Sequence, residues 1–246
     1  LWPIVTKDKW EDEEKVAYKN LQNFIQVLEK DGELKRIKVQ VDPYLEITQI
    51  ADRMSKTGGP ALLFEHVKGS NYPVLINAFG SYKRMQMALH CSSFDEIGQK
   101  IFNLITMQPP KTITGKIKAL LTLKDIANVM PKEVSKAPCQ KHIITDGALL
   151  DALPILTCWP KDGGPFITLP IVITKDPETG IQNAGMYRMH KFSNTTTGMH
   201  WQYNKDGARH YRKYCQLQQR MPVAIALGGS PAITYAATAP LPPDID

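Results

Sequence analysis

Three short stretches hold the side chains whose types and spacing could do chemistry. The first is Asn183-Ala184-Gly185-Met186-Tyr187-Arg188-Met189. An asparagine carbonyl is a hard oxygen donor of the kind Mg²⁺ or Mn²⁺ accepts, and an arginine beside small residues is a fork for phosphate or carboxylate. Side chains of a strand alternate faces, so Asn183 and Arg188 need not point the same way. Gly185 marks a bulge or a close backbone approach that would reorient them. The same residues also read as an ordinary hairpin strand with a solvated arginine. The second stretch is Thr195-Thr196-Thr197-Gly198-Met199-His200-Trp201-Gln202, followed by Lys205-Asp206-Gly207. His200 offers a neutral imidazole to a metal and Trp201 offers a surface to a ring system, although a histidine beside a tryptophan is more often structural. The third stretch, Ala236-Ala237-Thr238-Ala239-Pro240-Leu241-Pro242-Pro243, leads small residues into a proline-fixed segment. Such a segment lets backbone approach a ligand closely, or simply ends a helix at a rigid loop. The remaining histidines, His66, His90, His142, His190 and His210, lack metal-ligand spacing and read as structural or exposed.

The elements that must position these residues follow from apolar periodicity. Leu21, Phe24, Ile25 and Leu28 mark one face of a helix that Gly32 ends in a left-handed cap. Ile37, Val39 and Val41 alternate with polar residues, which predicts a strand with one buried face. A helix over 45–56 stops at Gly58-Gly59-Pro60, and strands follow over 61–67 and 73–78. Ser93 and Glu96 have capping-box spacing ahead of the stripe Ile97, Ile101, Leu104, Ile105, and Pro109-Pro110 closes this unit. Residues 112–137 are basic and helical in pattern, a bridge to a second domain. There, 169–174 is a strand, Asp176-Pro177-Glu178-Thr179-Gly180 a turn, and 182–192 the return strand. A helix suits 206–219, a buried strand 222–227, and Ser230-Pro231 the cap and first position of another helix. The domains are therefore an N-terminal extension (1–17), an α/β domain (18–111), the bridge (112–137) and a second domain (138–246).

Composition narrows the classes. Hydrophobic residues at 43% and charged residues at 22% describe a folded, water-soluble chain, and 246 residues suffice for one or two cores. The net charge of +6 suits an anionic partner. The basic residues are spread among acids with no run of five, which favours a phosphate-bearing small ligand over nucleic acid. Cys91, Cys139, Cys158 and Cys215 form no Cys-x-x-Cys pair, which weighs against a zinc site or a disulfide framework. They read as reduced, mostly buried thiols of a cytoplasmic protein. No stretch of about 18 apolar residues predicts a membrane span. The start at Leu1, without an apolar signal core through Glu14, reads as a processed or trimmed terminus.

Taken together and in order, the segments resemble the UbiD family of carboxy-lyases, from about Tyr18 to the last residue. The resemblance is carried by Asn20-Leu21-Gln22-Asn23-Phe24-Ile25, Gly32-Glu33-Leu34-Lys35-Arg36-Ile37 and Gly58-Gly59-Pro60-Ala61-Leu62-Leu63-Phe64. Further blocks are Pro154-Ile155-Leu156-Thr157-Cys158-Trp159-Pro160, Gly164-Pro165-Phe166-Ile167-Thr168 and Ile173-Thr174-Lys175-Asp176-Pro177. Tyr187-Arg188-Met189, Thr196-Thr197-Gly198-Met199-His200-Trp201 and Ala237-Thr238-Ala239-Pro240 complete it.

The resemblance implies an α+β fold: an N-terminal α/β domain followed by a split β-barrel like that of flavin-binding reductases, here truncated. It implies decarboxylation of an aromatic or polyprenyl-hydroxybenzoate acid, in ubiquinone or menaquinone formation or aromatic-acid metabolism, by the full-length protein. Asn183 and His200 would be ligands of Mn²⁺ (or Mg²⁺), which would bridge to the phosphate of prenylated FMN. Met186, Tyr187, Arg188, His200, Trp201, Gln202, Lys205 and Asp206 would contact the flavin, with Ala237, Thr238, Ala239 and Pro240. Backbone groups of Ala184, Ala236, Ala237 and Ala239 would lie near K⁺. Arg188 matches the catalytic arginine, which would hold the substrate carboxylate and organise the later proton donor. The family pattern puts a third metal ligand, a glutamate, just after Ile245-Asp246, and the catalytic carboxylates further on. The chain as given is therefore expected to bind metal and flavin weakly and not to turn over. The resemblance further implies a homo-oligomer in the cytoplasm, peripheral to membrane at most, supplied with cofactor by a flavin prenyltransferase. The reading from another class is a non-catalytic flavin- or partner-binding module.

Overall fold

The computed structural model describes residues 18, 20–106, 134–135, 137–145, 147 and 149–239. The expected N-terminal extension, the bridge over 112–133, Pro240, Ile245 and Asp246 lie outside the described residues. The chain divides into two compact units, residues 1–90 with 147–246, and residues 91–146.

In the larger unit the first helix, α1 (Leu21–Lys30), starts where extended Asn20 accepts a hydrogen bond from the Asn23 amide at 3.0 Å. Such a cap contributes about 1 kcal/mol. The helix buries Phe24, Ile25 and Leu28, the stripe the spacing predicts. Gly32, at φ 73°, then turns the chain into β1 (Leu34–Val41). Helix α2 (Glu46–Lys56) carries the chain back so that β2 (Ala61–Val67) pairs with β1 in parallel, and β3 (Val74–Ile76) joins β2 antiparallel. Strand β2 is central, and successive residues serve opposite faces. Ala61 packs in one apolar cluster with Phe24, Leu28, Met87 and Ala88; Leu62 and Phe64 pack in another with Val41, Ile47 and Leu156. A strand covered on both sides needs no polar face.

Two expectations fail in this region. Strand β1 does not alternate cleanly, because its register with β2 shifts between Ile37 and Gln40, and the irregularity leaves Val39 69% exposed. Helix α3 (Tyr82–Leu89) was not anticipated, although its start is legible: the Ser81 hydroxyl accepts from the Arg84 amide at 3.2 Å.

The smaller unit holds α4 (Phe94–Ile105) and a 3₁₀ turn at Pro138–Gln140. Ser93 accepts from the Glu96 amide as the capping box requires, but the Glu96 carboxylate reaches back to Ser92 rather than Ser93. Hydrogen bonds from Lys100 and Ser92 hold the Glu96 carboxyl down to about 2.

Back in the larger unit, helix α5 (Leu149–Ala152) leads into a segment stapled to the first sheet. Thr157 donates to the Pro43 carbonyl and accepts from the Leu45 amide, and the Ser70 hydroxyl donates to the Ala152 carbonyl at 2.6 Å. The chain then forms β4 (Phe166–Ile167), β5 (Ile171–Lys175), β6 (Gln182–Met186), β7 (Met189–Lys191), β8 (Thr197–Met199), α6 (Asp206–Gln216), β9 (Ala224–Ala226) and α7 (Pro231–Ala236). The strands make two three-stranded sheets, ordered β6-β5-β9 and β4-β7-β8. The fold is thus mixed α+β with small sheets.

The single return strand expected over 182–192 is instead two strands, broken at Tyr187-Arg188, where the chain leaves one sheet and enters the other. The expected buried strand over 222–227 shrinks to β9, an edge strand with Ala224 exposed. Ser230 precedes α7 as expected but makes no side-chain cap, and its hydroxyl is buried without a partner. The cysteines are not mostly buried: all four are free, with Cys139 and Cys215 exposed and Cys91 and Cys158 intermediate. Among the described residues no helix is long and apolar enough to cross a membrane.

Candidate functional site

The break between β6 and β7 sends Tyr187 inward and Arg188 outward. The Tyr187 ring lies against Gly185, where an added Cβ would come within 2.5 Å of its hydroxyl. It also lies against Gly207 at the start of α6, whose amide donates to the Tyr187 hydroxyl at 3.3 Å. The Trp201 ring stands edge-on to Tyr187 at 6.2 Å, and a Cβ on Gly207 would meet the Trp201 indole nitrogen at 2.9 Å. Two glycines therefore let two aromatic rings wedge between the end of β6 and the first turn of α6. The Trp201 indole nitrogen is buried there without a partner.

Arg188 is held from three sides. Its Nε donates to His200 Nδ1 at 3.0 Å, and one terminal nitrogen sits 3.1 Å from both carboxylate oxygens of Asp162. The guanidinium carbon lies 4.3 Å from the centre of the Phe166 ring, a cation–π contact. The meeting with His200 follows from strand register. Met189 pairs with Met199, so the next step along the two strands sets Arg188 against His200, and the His200 amide donates to the Arg188 carbonyl at 3.1 Å. Asp162 was missed in the sequence, although the turn Asp162-Gly163-Gly164-Pro165 was there to see. Gly163 and Gly164 take φ of 86° and 153°, and a Cβ on Gly164 would sit 2.5 Å from His190 Nε2. Only a glycine lets this loop close over the β7 strand and deliver Asp162 to Arg188.

Asn183 stands on the buried face of β6, 8% exposed, and its Nδ2 has no hydrogen-bond partner. Across the ladder it faces Thr174 of β5. Beneath it α6 packs on the hairpin, with His210 and Asp176 each 1% exposed. His210 Nδ1 lies 2.9 Å from the Thr174 hydroxyl. Burial raises the Asp176 carboxyl, but hydrogen bonds from Lys213 and the amides of Glu178 and Thr179 outweigh it and bring it down to about 2. Burial holds His210 below its usual value, against the pull of Asp176.

The other expected site residues fall around this frame. The Met186 amide donates to the Ala237 carbonyl at 3.0 Å, which pins the end of β6 to the end of α7. The Ala236 carbonyl accepts from the Ala239 amide, and the Thr238 hydroxyl donates to the Tyr235 carbonyl at 2.6 Å. Gln202 and Lys205 are exposed beside α6, Asp206 pairs with Arg209 at 2.9 Å, and Ala184 is half-buried. The structure thus joins Arg188 to His200, Tyr187 to Trp201 and Met186 to Ala237. Asn183 makes no hydrogen bond with the Arg188–His200 pair, and its amide nitrogen is unmatched. Among the described residues no three His, Cys, Asp or Glu side chains group as a metal cage.

Comparison with known proteins fits this architecture. Residues 25–101 match the 3-octaprenyl-4-hydroxybenzoate carboxy-lyase N-terminal domain, and residues 132–246 match the Rift-related domain of the same enzyme family. The chain belongs to the UbiD family, of which it carries the N-terminal and Rift-related domains. A curated relative from Archaeoglobus fulgidus, named only as an uncharacterized protein, is 49% identical over 94% of this chain and 47% of its own length. Another from Aquifex aeolicus is 47% identical over 93% of this chain and 48% of its own. Among solved structures, the UbiD-class enzyme HmfF from Pelotomaculum thermopropionicum in complex with FMN superposes with TM-score 0.76 at 26% identity, over 92% of this chain and 46% of that one. The vanillic acid decarboxylase of Sedimentibacter hydroxybenzoicus in its closed form gives 0.75 at 28%, over 94% and 47%. The chain spans about half the length of the curated relatives it matches.

The side chains present fit the groups that the family resemblance implies. Asn183 and His200 supply an oxygen and a nitrogen, donors a divalent Mn²⁺ or Mg²⁺ accepts. The unpartnered atom of Asn183 is its donor nitrogen, which suits an acceptor oxygen of a bound group and not the cation itself. His200 has a competing engagement. A neutral imidazole has one lone pair, and here it sits on Nδ1, accepting from Arg188. A cation on Nδ1 must displace the arginine. A cation on Nε2 needs the proton on Nδ1, facing another donor, so in either case Arg188 must release the ring. The unpartnered indole of Trp201 likewise leaves a donor free for a bound group.

Proposed function

We propose that this chain is the cofactor-holding part of an enzyme that removes CO₂ from an aromatic or polyprenyl-hydroxybenzoate acid, using prenylated FMN, Mn²⁺ (or Mg²⁺) and K⁺. In this reading residues 18–111 are an α/β domain, and residues 138–246 form the split β-barrel that holds the flavin. The relatives support it: one HmfF structure holds FMN, and another, of an evolved dimeric form, holds prFMN. The acid belongs to ubiquinone or menaquinone formation or to aromatic-acid metabolism, a prenyltransferase supplies the flavin, and the whole protein works as a homo-oligomer.

The observation that carries the reading is the set of bonds on Arg188. Asp162 occupies Nη1 and Phe166 supports the plane, which leaves Nη2 for an anion, joined by Nε once His200 turns from Arg188 to the cation. When bound, the prenylated flavin supplies the electron sink for the carbon–carbon bond that breaks. Arg188 fixes the substrate carboxylate at its free edge by charge-assisted hydrogen bonds, each worth about 1.5–3 kcal/mol. CO₂ leaves as a neutral molecule, so a guanidinium that gripped the carboxylate with all its donors would hold the ground state too well. Asp162 restrains that grip by occupying one edge. Asn183 and His200 hold the divalent cation, and backbone carbonyls of Ala184, Ala236, Ala237 and Ala239 face K⁺. Met186, Tyr187, Trp201, Gln202, Lys205, Asp206, Thr238 and Pro240 line the flavin.

The test is to express the gene's whole reading frame together with a flavin prenyltransferase. The expected outcome is absorbance of the modified flavin on the purified protein and CO₂ release from an aryl acid. Flavin without CO₂ release from any of a panel of aryl acids would favour a binding module. Neither flavin nor CO₂ would end the reading.

A further inference from the structure

We infer that Arg188 and the divalent cation compete for His200, and that His200, in leaving Arg188 for the cation, opens the Nε–Nη2 edge of the arginine to the substrate carboxylate; this rests on the reading of His200 as a metal ligand. The competition follows from where the protons sit. An arginine nitrogen only donates, so the 3.0 Å bond from Arg188 Nε makes His200 Nδ1 the acceptor and puts the ring proton on Nε2. That bond uses the one lone pair of the neutral imidazole. A cation at either ring nitrogen excludes it.

Two other contacts keep the arginine in place as the ring turns away. Both oxygens of Asp162, a side chain only 16% exposed, lie 3.1 Å from Nη1, and the Phe166 ring supports the guanidinium at 4.3 Å. Neither contact uses Nε. The backbone also holds, because the His200 amide donates to the Arg188 carbonyl at 3.1 Å independently of both side chains. The exchange is therefore a rotation of one exposed imidazole. The Asp162 carboxylate, beside the guanidinium, also lowers the cost of a second positive charge nearby.

Nε and Nη2 carry parallel N–H bonds along one side of the guanidinium, and together they match the two oxygens of a carboxylate. While His200 accepts from Nε, an anion on that side reaches Nη2 alone. With His200 turned to the cation, both donors are open. Linkage makes the effect reciprocal: a carboxylate that takes Nε and Nη2 frees His200 and so tightens the cation. The acid and the cation thus favour each other through Arg188.

The experiment uses the protein of the whole reading frame and two probes, Mn²⁺ followed by loss of the free-ion EPR signal and benzoate followed by calorimetry. In wild type each should tighten the other about 5–10-fold, the low end of coupling expected for a partly exposed bond. Arg188→Lys keeps the charge but cannot hold Asp162 and His200 together. R188K should bind Mn²⁺ about 5–10-fold more tightly than wild type, and benzoate should change that affinity by less than about twofold. His200→Ala must weaken Mn²⁺ binding. If H200A leaves the affinity unchanged, the reading of His200 as a ligand falls and this inference with it. If H200A weakens binding while R188K binds Mn²⁺ no more tightly than wild type, the ligand stands and the competition is wrong. Benzoate that leaves the wild-type Mn²⁺ affinity unchanged, or tightens it equally in R188K, would overturn the opening of the edge. Should R188K fail to fold, Arg188→Met decides in 1 M KCl, where a Debye length of about 3 Å screens simple repulsion between charges. Tighter Mn²⁺ binding by R188M there upholds the competition, and equal binding overturns it.

Discussion

The sheet β1-β2-β3 and the hairpin β5-β6 are both covered by helix, yet they bury opposite kinds of residue. Under the first lie Phe24, Leu28, Ile47 and Phe64, each at 0% exposure. Under the second lie Thr174, Asp176, Asn183 and His210. Arg84, the buried cation of the first region, bonds Glu33 at 2.9 Å and the Asn77 carbonyl at 3.1 Å, while its Nη2, like Thr48 Oγ1 in the same region, is buried with no partner. In the second region Asn183 Nδ2, Trp201 Nε1 and Ser230 Oγ are buried with no partner. A buried polar atom without a partner costs about 1–3 kcal/mol. Such atoms occur in both regions, so what separates the two is the apolar anchor of the first and the charged, hydrogen-bonded set beneath the second.

The contrast is most sharply broken or upheld by removing an apolar anchor. Phe64→Ala leaves a cavity under β2 and should cost about 3–5 kcal/mol, read as a lower urea midpoint at unchanged slope. A loss below 1 kcal/mol would mean that the first sheet is not the stabilising core. Arg188→Lys makes the opposite statement. A lysine cannot bond Asp162 and His200 and lie over Phe166 at once. Turnover of the whole enzyme should fall about 10²–10³-fold, while the urea midpoint stays within about 0.5 kcal/mol of wild type. Comparable loss of stability would make Arg188 a structural residue.

Gly185→Ala tests the seam between the two sheets. The new Cβ would overlap the Tyr187 ring, which has Gly207 behind it. Overpacking of this kind costs about 1–3 kcal/mol. The near-ultraviolet signal of Tyr187 and Trp201 should change with it; an unchanged spectrum would show that the ring is not wedged as described.

How much of this was legible in the sequence follows the same division. The stripe Phe24–Ile25–Leu28, the Gly32 cap and the strand over 61–67 were readable because apolar patterning and glycine punctuation are local signals, whereas the cover on both faces of β2 came only with its neighbours in space. Local rules failed where neighbours in space decide. The shift in β1 that exposes Val39 arises from its pairing with β2, and the change of sheet at Tyr187-Arg188 arises from packing against Gly207 and Trp201. The ordered blocks identified the family, but spacing alone left Asn183, Arg188 and His200 open to bland readings. Asp162 and Phe166 escaped because each is unremarkable until strand register brings Arg188 beside them. His210 was set aside for lack of metal-ligand spacing, and its work lies in a contact 36 positions away in the chain.

The smallest expected effect is a pH dependence confined to the second region. His210 is held below its usual value near 6.5 by burial. In the window below 6.5 the unfolded chain therefore binds a proton that the folded chain refuses, and stability falls as pH drops through it. Asp176 adds a second, lower window. Its carboxyl stands at about 2 against 3.8 ordinarily, so its stabilisation is complete above 3.8 and disappears as pH falls toward 2. The urea midpoint should thus decline in two stages, one below pH 6.5 and another below pH 3.8. His210→Phe should flatten the first stage and keep the second, because Lys213 still holds Asp176 at 2.7 Å. Phe64→Ala should lower the whole curve without changing its shape, since no carboxylate or histidine lies in that apolar cluster. If H210F keeps the first stage, another group titrates there, and the polar core beneath the hairpin is not the origin of the contrast.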